Sequence, residues 1–159
     1  VPRDDMALLV LRVPPAGASG LPPYPVYTAE YPAEVESVPR ARREFVTWFT
    51  DEVGQPADAE TVLILAELVA NAARAARTGF EVHARILDDS IEIEVVDDGP
   101  GLTGELPPAD VAPDPEAEQG RGLYLVRLMA DELSIASDGR RTRARCRRRL
   151  TAARRPPVR

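Results

Sequence analysis

Three polar side chains of different chemistry follow one another within an apolar segment. Glu67, Asn71 and Arg74 stand at positions i, i+4 and i+7, so on an α-helix they form one polar line. They place a proton acceptor, an oxygen donor and a cation on one face. The alternative interpretation is the solvated edge of an ordinary amphipathic helix, and only the rest of the chain can separate the two.

Two glycine-rich turns further along the chain add groups suited to phosphate. Asp97 ends an apolar strand and is followed by Gly99 and Gly101, which alone would indicate only a tight turn. A second turn stands at a predicted helix start, where free N–H groups and the helix dipole attract phosphate; it consists of Gly120, Arg121, Gly122 and Leu123. Each motif alone is weak evidence for a phosphate-binding site, but the three motifs in this order and spacing are strong evidence for one.

Composition removes several other chemistries. All 20 basic residues are arginines, which excludes the phosphate-binding lysine of a P-loop, the strand lysine of eukaryotic-type protein kinases and a Schiff-base lysine. The single cysteine, Cys146, allows neither an internal disulfide nor a thiolate metal cluster. There is no apolar run of the ~20 residues that a membrane helix needs. We expect a cytoplasmic protein with no membrane partner.

The three motifs resemble the N, G1 and G2 boxes of the GHKL superfamily, the ATP-binding fold shared by gyrase, ninety-kilodalton heat-shock chaperones, sensor histidine kinases and MutL. In chain order they are Glu67-Leu-Val-Ala-Asn71-Ala72, Asp97-Asp-Gly99-Pro-Gly101 and Gly120-Arg-Gly122-Leu. The resemblance covers about 27–150. With two helices and no insertion before the N box, the chain is most similar to the serine-kinase anti-sigma factors of the sporulation and general-stress type.

This resemblance implies ATP and Mg²⁺ as cofactors and a role for each motif. It implies that Asn71 holds Mg²⁺, that Glu67 is the general base, and that Asp97 accepts a hydrogen bond from the adenine amino group. An acceptor at that place disfavours guanine, which offers an oxygen there. Arg74 would meet phosphate charge in place of the absent lysine.

The remaining nucleotide-binding residues come from the turns and the last strand. Gly99 and Gly101 would let backbone approach the base and ribose. The G2 turn would wrap the phosphates, through Gly120, Arg121, Gly122 and Leu123. Thr142 would line the adenine pocket, as a threonine on this strand does in the family.

Hydrophobic periodicity predicts the elements that position these residues. In chain order, they are a strand over 27–31, a helix from a Ser37 cap to Gly54, a buried core helix from Asp58 to about 77 that Gly79 ends, a hairpin over 80–95, a long loop over 99–120, a helix over 121–132, and a closing hairpin of strands 133–136 and 142–150. The expected fold is an α/β two-layer sandwich of the Bergerat type, with a mixed, mainly antiparallel sheet and helices on one face.

The sequence also predicts a division into four parts. Residues 26–150 form the ATP-binding domain, 14–25 a proline- and glycine-rich linker, and 151–159 a basic tail. Residues 1–13 are the remnant of a preceding domain. Arg3-Asp4-Asp5 and the apolar run after it resemble the last metal-ligand turn and strand of PPM-type serine phosphatases; the alternative is an ordinary short strand.

Charge is divided between an acidic body and a basic end. Residues 140–159 hold ten arginines and no acid, a composition that can indicate nucleic-acid binding. Over 141–150, however, arginines alternate with other residues as on the exposed face of a strand, and we favour that interpretation. His83, the only histidine, lies on a predicted strand after the N box and is expected at the surface. A phosphoacceptor histidine would lie on a helix before the N box, so the sequence excludes a self-contained sensor histidine kinase.

We therefore expect a serine-kinase domain of the anti-sigma type. The partners implied are a small anti-anti-sigma (STAS) protein, a sigma factor, a fused PPM phosphatase domain and, as in many relatives, a second copy of the chain. The alternative is a catalytically silent module that senses ATP for that phosphatase.

Overall fold

The strands form one antiparallel sheet, and the helices pack on one of its faces. The structure is a computed structural model that describes residues 24–101 and 121–150. Its elements are β1 (Val26–Pro32), α1 (Ser37–Val53), α2 (Ala59–Ala75), β2 (Gly79–Ile86), β3 (Ser90–Asp97), α3 (Arg121–Met129), β4 (Glu132–Ser137) and β5 (Thr142–Arg149). The strand order is β1-β2-β3-β5-β4, and each pairing of these strands is antiparallel. The predicted two-layer α/β architecture is confirmed, whereas the sheet of the described strands is antiparallel throughout and not mixed as expected.

The core lies between the helices and the inner face of the sheet. Alternate residues of the central strands point inward, among them Val82, Ile93 and Cys146, and they join Phe45 of α1 and Leu65 of α2 in one buried cluster. Each of the valine, isoleucine, leucine and phenylalanine side chains contributes about 1.5–3 kcal/mol when it leaves water. This cluster fixes α2 against the centre of the sheet, and α2 carries the polar line of the candidate site.

Helix α1 ends as predicted but begins differently. Gly54 has a φ of 74°, and its N–H donates to the Thr50 carbonyl at 2.8 Å, which closes the helix. The N-cap is Glu36, not Ser37, and no side chain caps the helix. The Ser37 hydroxyl instead donates to the Pro32 carbonyl at 2.9 Å. The serine therefore joins the helix start to the end of β1.

Helix α2 begins at the predicted cap and ends earlier than predicted. The Asp58 carboxylate accepts the Thr61 N–H at 2.9 Å, but the last helical residue is Ala75, and Gly79 is the first residue of β2 rather than a helix stop. The N–H groups of Arg77 and Thr78 donate to the Asp98 carboxylate and not to carbonyls of the preceding turn, so these two residues are not part of the helix.

Two smaller expectations about the helices are also corrected. Leu63 of α2, predicted to be buried, is 38% exposed. Helix α3 stops at Met129 and not at Glu132, which is the first residue of β4. The reason is a neighbouring strand, because the Asp131 N–H donates to the Arg147 carbonyl at 2.9 Å and draws the chain into the sheet.

The outer face of the sheet carries arginine and glutamate side chains that form ion pairs across neighbouring strands. Arg145 lies 3.1 Å from a Glu92 oxygen, and Arg143 lies 3.4 Å from a Glu94 oxygen. Strand β5 alternates between inward and exposed positions, so the interpretation of its arginines as an exposed strand face is confirmed. His83 lies on this face, where its Nε2 is 3.2 Å from a Glu81 oxygen.

Several sequence predictions fall outside the described residues. They concern the phosphatase-like remnant over 1–13, most of the linker, most of the loop over 99–120 together with Gly120, and the tail over 151–159. Within the described ranges, no helix combines the length and the apolar character needed to cross a bilayer.

Candidate functional site

The polar line of α2 exists as a set of neighbouring side chains along one edge of the helix. Glu67 and Asn71 are half-buried, and Arg74 is exposed. One Arg74 guanidinium nitrogen, Nη2, donates to Asn71 Oδ1 at 2.5 Å. Asn71 Nδ2 is buried and has no hydrogen-bond partner among the described residues. Since a buried amide that lacks a partner costs free energy, this group is suited to a polar ligand.

Asp97, the last residue of β3, is a buried carboxylate with 7% exposure. The Gly99 N–H donates to its Oδ1 at 2.8 Å. Burial raises the pKa of Asp97 above its ordinary value, and the Gly99 N–H opposes this shift only in part. Asp97 is therefore a hydrogen-bond acceptor that is held in place before any ligand arrives.

The glycines after Asp97 stand where other elements approach the backbone closely. A Cβ on Gly99 would lie 2.5 Å from the Ala75 carbonyl oxygen at the end of α2. Gly101 has a φ of +95°, which side-chain-bearing residues rarely adopt, and a Cβ there would collide with Ser137. The G1 turn is thus pressed against the end of α2 on one side and the end of β4 on the other.

Thr142 stands beside Asp97 in the sheet. The two residues are register partners across β3 and β5, and Thr142 is 7% exposed. Its Oγ1 is buried and makes no hydrogen bond of good geometry among the described residues, but it lies close enough to the Asp97 carboxylate to lower the pKa of that group. A second polar atom is therefore available next to the Asp97 carboxylate.

The start of α3 packs against the carboxylate of Glu67. A Cβ on Gly122 would collide with Glu67 Oε2, so glycine at this position leaves the room that the carboxylate occupies. Arg121 is exposed, and Leu123 packs against the core. The first turn of α3 and the proposed base are thus direct neighbours.

Helix α2 connects these parts. Gly122 lies at Glu67 and Gly99 lies at Ala75, and the two contact points are about 12 Å apart along the helix axis at the usual rise per residue. Asn71 stands midway between them. The structure thus brings the described parts of the G1 and G2 motifs into contact with the helix that carries the N-box motif. Gly120 is outside the described residues.

Asp98 and Ser137 contribute to the site but were not among the predicted residues. Asp98 binds the connection between α2 and β2, and Ser137 limits the space at Gly101. The pair of acids at the end of β3 was visible in the sequence, but the long-range contacts of the second acid were not. Nothing in the local pattern marks Ser137.

The metal predicted for this site depends on few protein atoms. The described residues contain no group of three or more histidine, cysteine or acidic side chains that could hold a metal ion. Asn71 Oδ1 is the kind of hard oxygen donor that Mg²⁺ takes when phosphate oxygens supply other ligands. The donor chemistry therefore fits Mg²⁺ delivered with a nucleotide.

Solved structures give further comparisons for this chain. No curated protein matches the chain. The structure of the RsbU and RsbW domains of Rv1364c from Mycobacterium tuberculosis has a TM-score of 0.59 at 20% identity, and it covers 79% of this chain. The match takes in 32% of that longer protein, so this chain spans about a third of its length. The likeness shows a shared fold.

Two histidine kinases give weaker matches, each at 14% identity. The Acinetobacter baumannii histidine kinase AdeS has a TM-score of 0.46, with 78% of this chain and 68% of that chain covered. The catalytic domain of the histidine kinase ThkA has a TM-score of 0.48, with 77% and 95% covered.

A protein-family model matches most of the chain. The model for the histidine kinase-like ATPase domain matches residues 31–147, which is well over half of the chain and includes α2, the G1 turn and α3. The chain belongs to the histidine kinase-like ATPase domain family.

Proposed function

We propose that this domain binds ATP with Mg²⁺ and transfers the γ-phosphoryl group to a serine of a small anti-anti-sigma (STAS) partner. The observation that supports this most is the convergence on α2, where the Asp97 turn meets one end of the polar line and the start of α3 meets the other. In this arrangement Asp97 and Thr142 bind the adenine. Asn71 Oδ1 would be a ligand of Mg²⁺, and the first turn of α3 faces the phosphates.

Each of these residues has a chemical task. The Asp97 carboxylate accepts from the adenine amino group and disfavours guanine. When ATP binds, the Arg74 guanidinium leaves Asn71 Oδ1 and pairs with phosphate. A guanidinium binds a charged phosphate more strongly than it binds a neutral amide oxygen. Bound Mg²⁺ neutralises phosphate charge. Glu67 accepts the proton of the attacking hydroxyl.

The serine-kinase assignment and its partners rest on the resemblance of the motifs to anti-sigma kinases. The fold likeness to a protein that carries RsbU and RsbW domains in one chain supports a multidomain regulator. In that regulator, residues 1–13 end a phosphatase domain, 14–25 link the two domains, and 26–150 form the ATP-binding domain. A sigma factor and a second copy of this chain are further partners of the proposal.

The second candidate function is an ATP-sensing module without phosphotransfer. The observation that favours it is the composition of the segment between the G1 and G2 motifs, which is rich in proline and acids. Both functions require ATP binding, and only the first requires Glu67 to act as a base.

Thermal denaturation tests the shared part of both functions. We expect ATP with Mg²⁺ to raise the melting temperature, because a ligand that binds only the folded state stabilises it by about 2.7 kcal/mol at a hundredfold excess over Kd. GTP at the same concentration should give a much smaller shift, as should ATP with a chelator. Equal shifts with ATP and GTP would contradict adenine recognition by Asp97, and no shift would contradict ATP binding.

A second prediction separates the phosphate half of the site from the adenine half. Arg74→Ala should weaken ATP binding about tenfold, because one contact between charged groups contributes about 1.5 kcal/mol. Adenosine affinity should stay unchanged, because adenosine carries no phosphate with which the Arg74 guanidinium could pair. Titration calorimetry with ATP and NMR titration with adenosine measure the two affinities.

Arg42→Ala is the matched control for this change. Arg42 is an exposed arginine of α1, so its loss removes the same charge from another part of the domain. If Arg74→Ala weakened adenosine as much as ATP, or if Arg42→Ala reproduced its effect, the assignment of Arg74 to phosphate would be wrong.

A further inference from the structure

The side chain of Asp98 joins two segments of the candidate site. The Arg77 N–H donates to its Oδ1 at 2.7 Å, and the Thr78 hydroxyl donates to its Oδ2 at 2.6 Å. The Thr78 N–H lies 3.1 Å from both oxygens. Both oxygens of the carboxylate are therefore engaged with the connection that follows α2.

These hydrogen bonds hold the end of α2 beside the end of β3. Asp98 lies between Asp97 and Gly99, and Gly99 is in close contact with the Ala75 carbonyl. The same hydrogen bonds keep the pKa of Asp98 well below its usual range, so the carboxylate is ionised at neutral pH. A negative charge near a helix C-terminus is opposed by the helix dipole. The four donor contacts offset that cost.

The consequence concerns the distance between the two halves of the site. Asn71 and Arg74 stand on the last two turns of α2, while Asp97 stands at the end of β3. Of the contacts between these segments, the close approach at Gly99 is van der Waals in nature and only limits how near they come. The Asp98 carboxylate adds directional hydrogen bonds, which act together with the pairing of Phe80 and Asp97 across β2 and β3 to place the end of α2 relative to β3.

We propose that Asp98 is a positioning residue that holds the adenine-binding segment at the right distance from α2, so that Asp97 and Asn71 contact the same nucleotide. The proposal rests on the proposed function, because it assumes that one ATP spans both segments. Asp98 itself does not contact the ligand. It acts on binding only through the relative placement of its neighbours.

The ratio of two affinities tests this role. Adenosine uses only the segment of Asp97, whereas ATP with Mg²⁺ uses both segments, and a ligand that spans two sites loses affinity when their spacing is wrong. We expect Asp98→Ala to weaken ATP·Mg²⁺ about tenfold, as for loss of one well-placed charged contact. Adenosine should weaken less than about threefold by the same scale. Asp98→Asn, which keeps one acceptor oxygen, should fall between the wild type and Asp98→Ala.

Asp58→Ala is the control for a simple loss of stability. Asp58 caps the opposite end of the same helix through the Thr61 N–H, and its removal destabilises the domain without touching the end near Asp97. We expect it to lower the melting temperature and to leave the ratio of ATP to adenosine affinity at the wild-type value. If Asp98→Ala does not fold, Thr78→Val removes one of the four contacts and should change the ratio in the same direction.

The outcomes separate this proposal from the one on which it depends. A wild-type protein that binds neither ATP nor adenosine overturns both. A wild-type protein that binds ATP, with variants at Asp98 and Thr78 that keep the wild-type ratio of affinities, overturns the positioning role alone. An equal loss of ATP and adenosine affinity in Asp98→Ala also overturns it, because that result places the effect on the adenine segment only.

Discussion

Asp97→Asn should abolish most of the ATP affinity of this domain while making the empty protein no less stable. Asparagine has nearly the same shape, and its Oδ1 can still accept the Gly99 N–H that now reaches Asp97 at 2.8 Å. The amide, however, presents an N–H donor where the adenine amino group also donates. Loss of a hydrogen bond to a charged group costs about 1.5–3 kcal/mol, which corresponds to a fall in affinity of about ten- to a hundredfold.

The effect on stability follows from the direction of the pKa shift. Burial raises the folded-state pKa of Asp97 above its unfolded value, so the ionised carboxylate is less favourable in the folded protein than in the unfolded chain. Its stabilising contribution is complete below the unfolded pKa of about 3.9 and is lost as the pH rises through the folded pKa. At neutral pH the charge is thus a net cost, which Asp97→Asn removes.

Two measurements check this prediction together. Calorimetric titration gives the ATP affinity, and denaturant unfolding at pH 7 and below pH 4 gives the free energy of unfolding without ligand. Asp51→Asn, the same change at an exposed position of α1, serves as the control. A variant at Asp97 that loses stability at pH 7, or that binds ATP like the wild type, would contradict the assigned role.

The sequence predicted those parts of the fold that depend on local patterns. The apolar spacing of α1, the Asp58 cap and the alternation in β2, β3 and β5 are properties of neighbouring residues, and the structure confirms them. The expectation that Gly79 ends α2 is wrong, because the helix ends at Ala75 and the segment after it is held by Asp98, which lies 20 positions beyond Thr78. Local propensity does not contain that contact.

The same distinction applies to the candidate site. The residue types and their spacing indicated which side chains to consider, because chemistry limits what can bind phosphate or adenine. Their approach in space could not be predicted in the same way. The space that Gly122 leaves for Glu67 and the close approach of Gly101 to Ser137 involve residues far apart in the sequence. Only the packed fold brings them together.

Glu67→Gln should separate the two proposed functions with the largest effect on activity. In the kinase, the serine oxygen attacks the γ-phosphorus, the bond to the ADP oxygen breaks, and Glu67 takes the hydroxyl proton. Glutamine fills nearly the same space beside Gly122 but cannot accept that proton. We expect transfer of labelled phosphate to a STAS partner to fall by about 10²–10⁴, the usual contribution of a general base, while ATP affinity stays within about threefold.

The control and the alternative outcomes give this experiment its meaning. Glu52→Gln, at an exposed position of α1, makes the same chemical change away from the site and should leave transfer intact. If transfer survives in Glu67→Gln, the proton goes elsewhere and Glu67 only borders the start of α3. If the wild type binds ATP but transfers nothing to any STAS protein that it binds, the ATP-sensing module is the better description. The position of the Glu67 carboxylate against Gly122 is consistent with the kinase, because it would place the proposed base beside the helix start that we propose to face the phosphates.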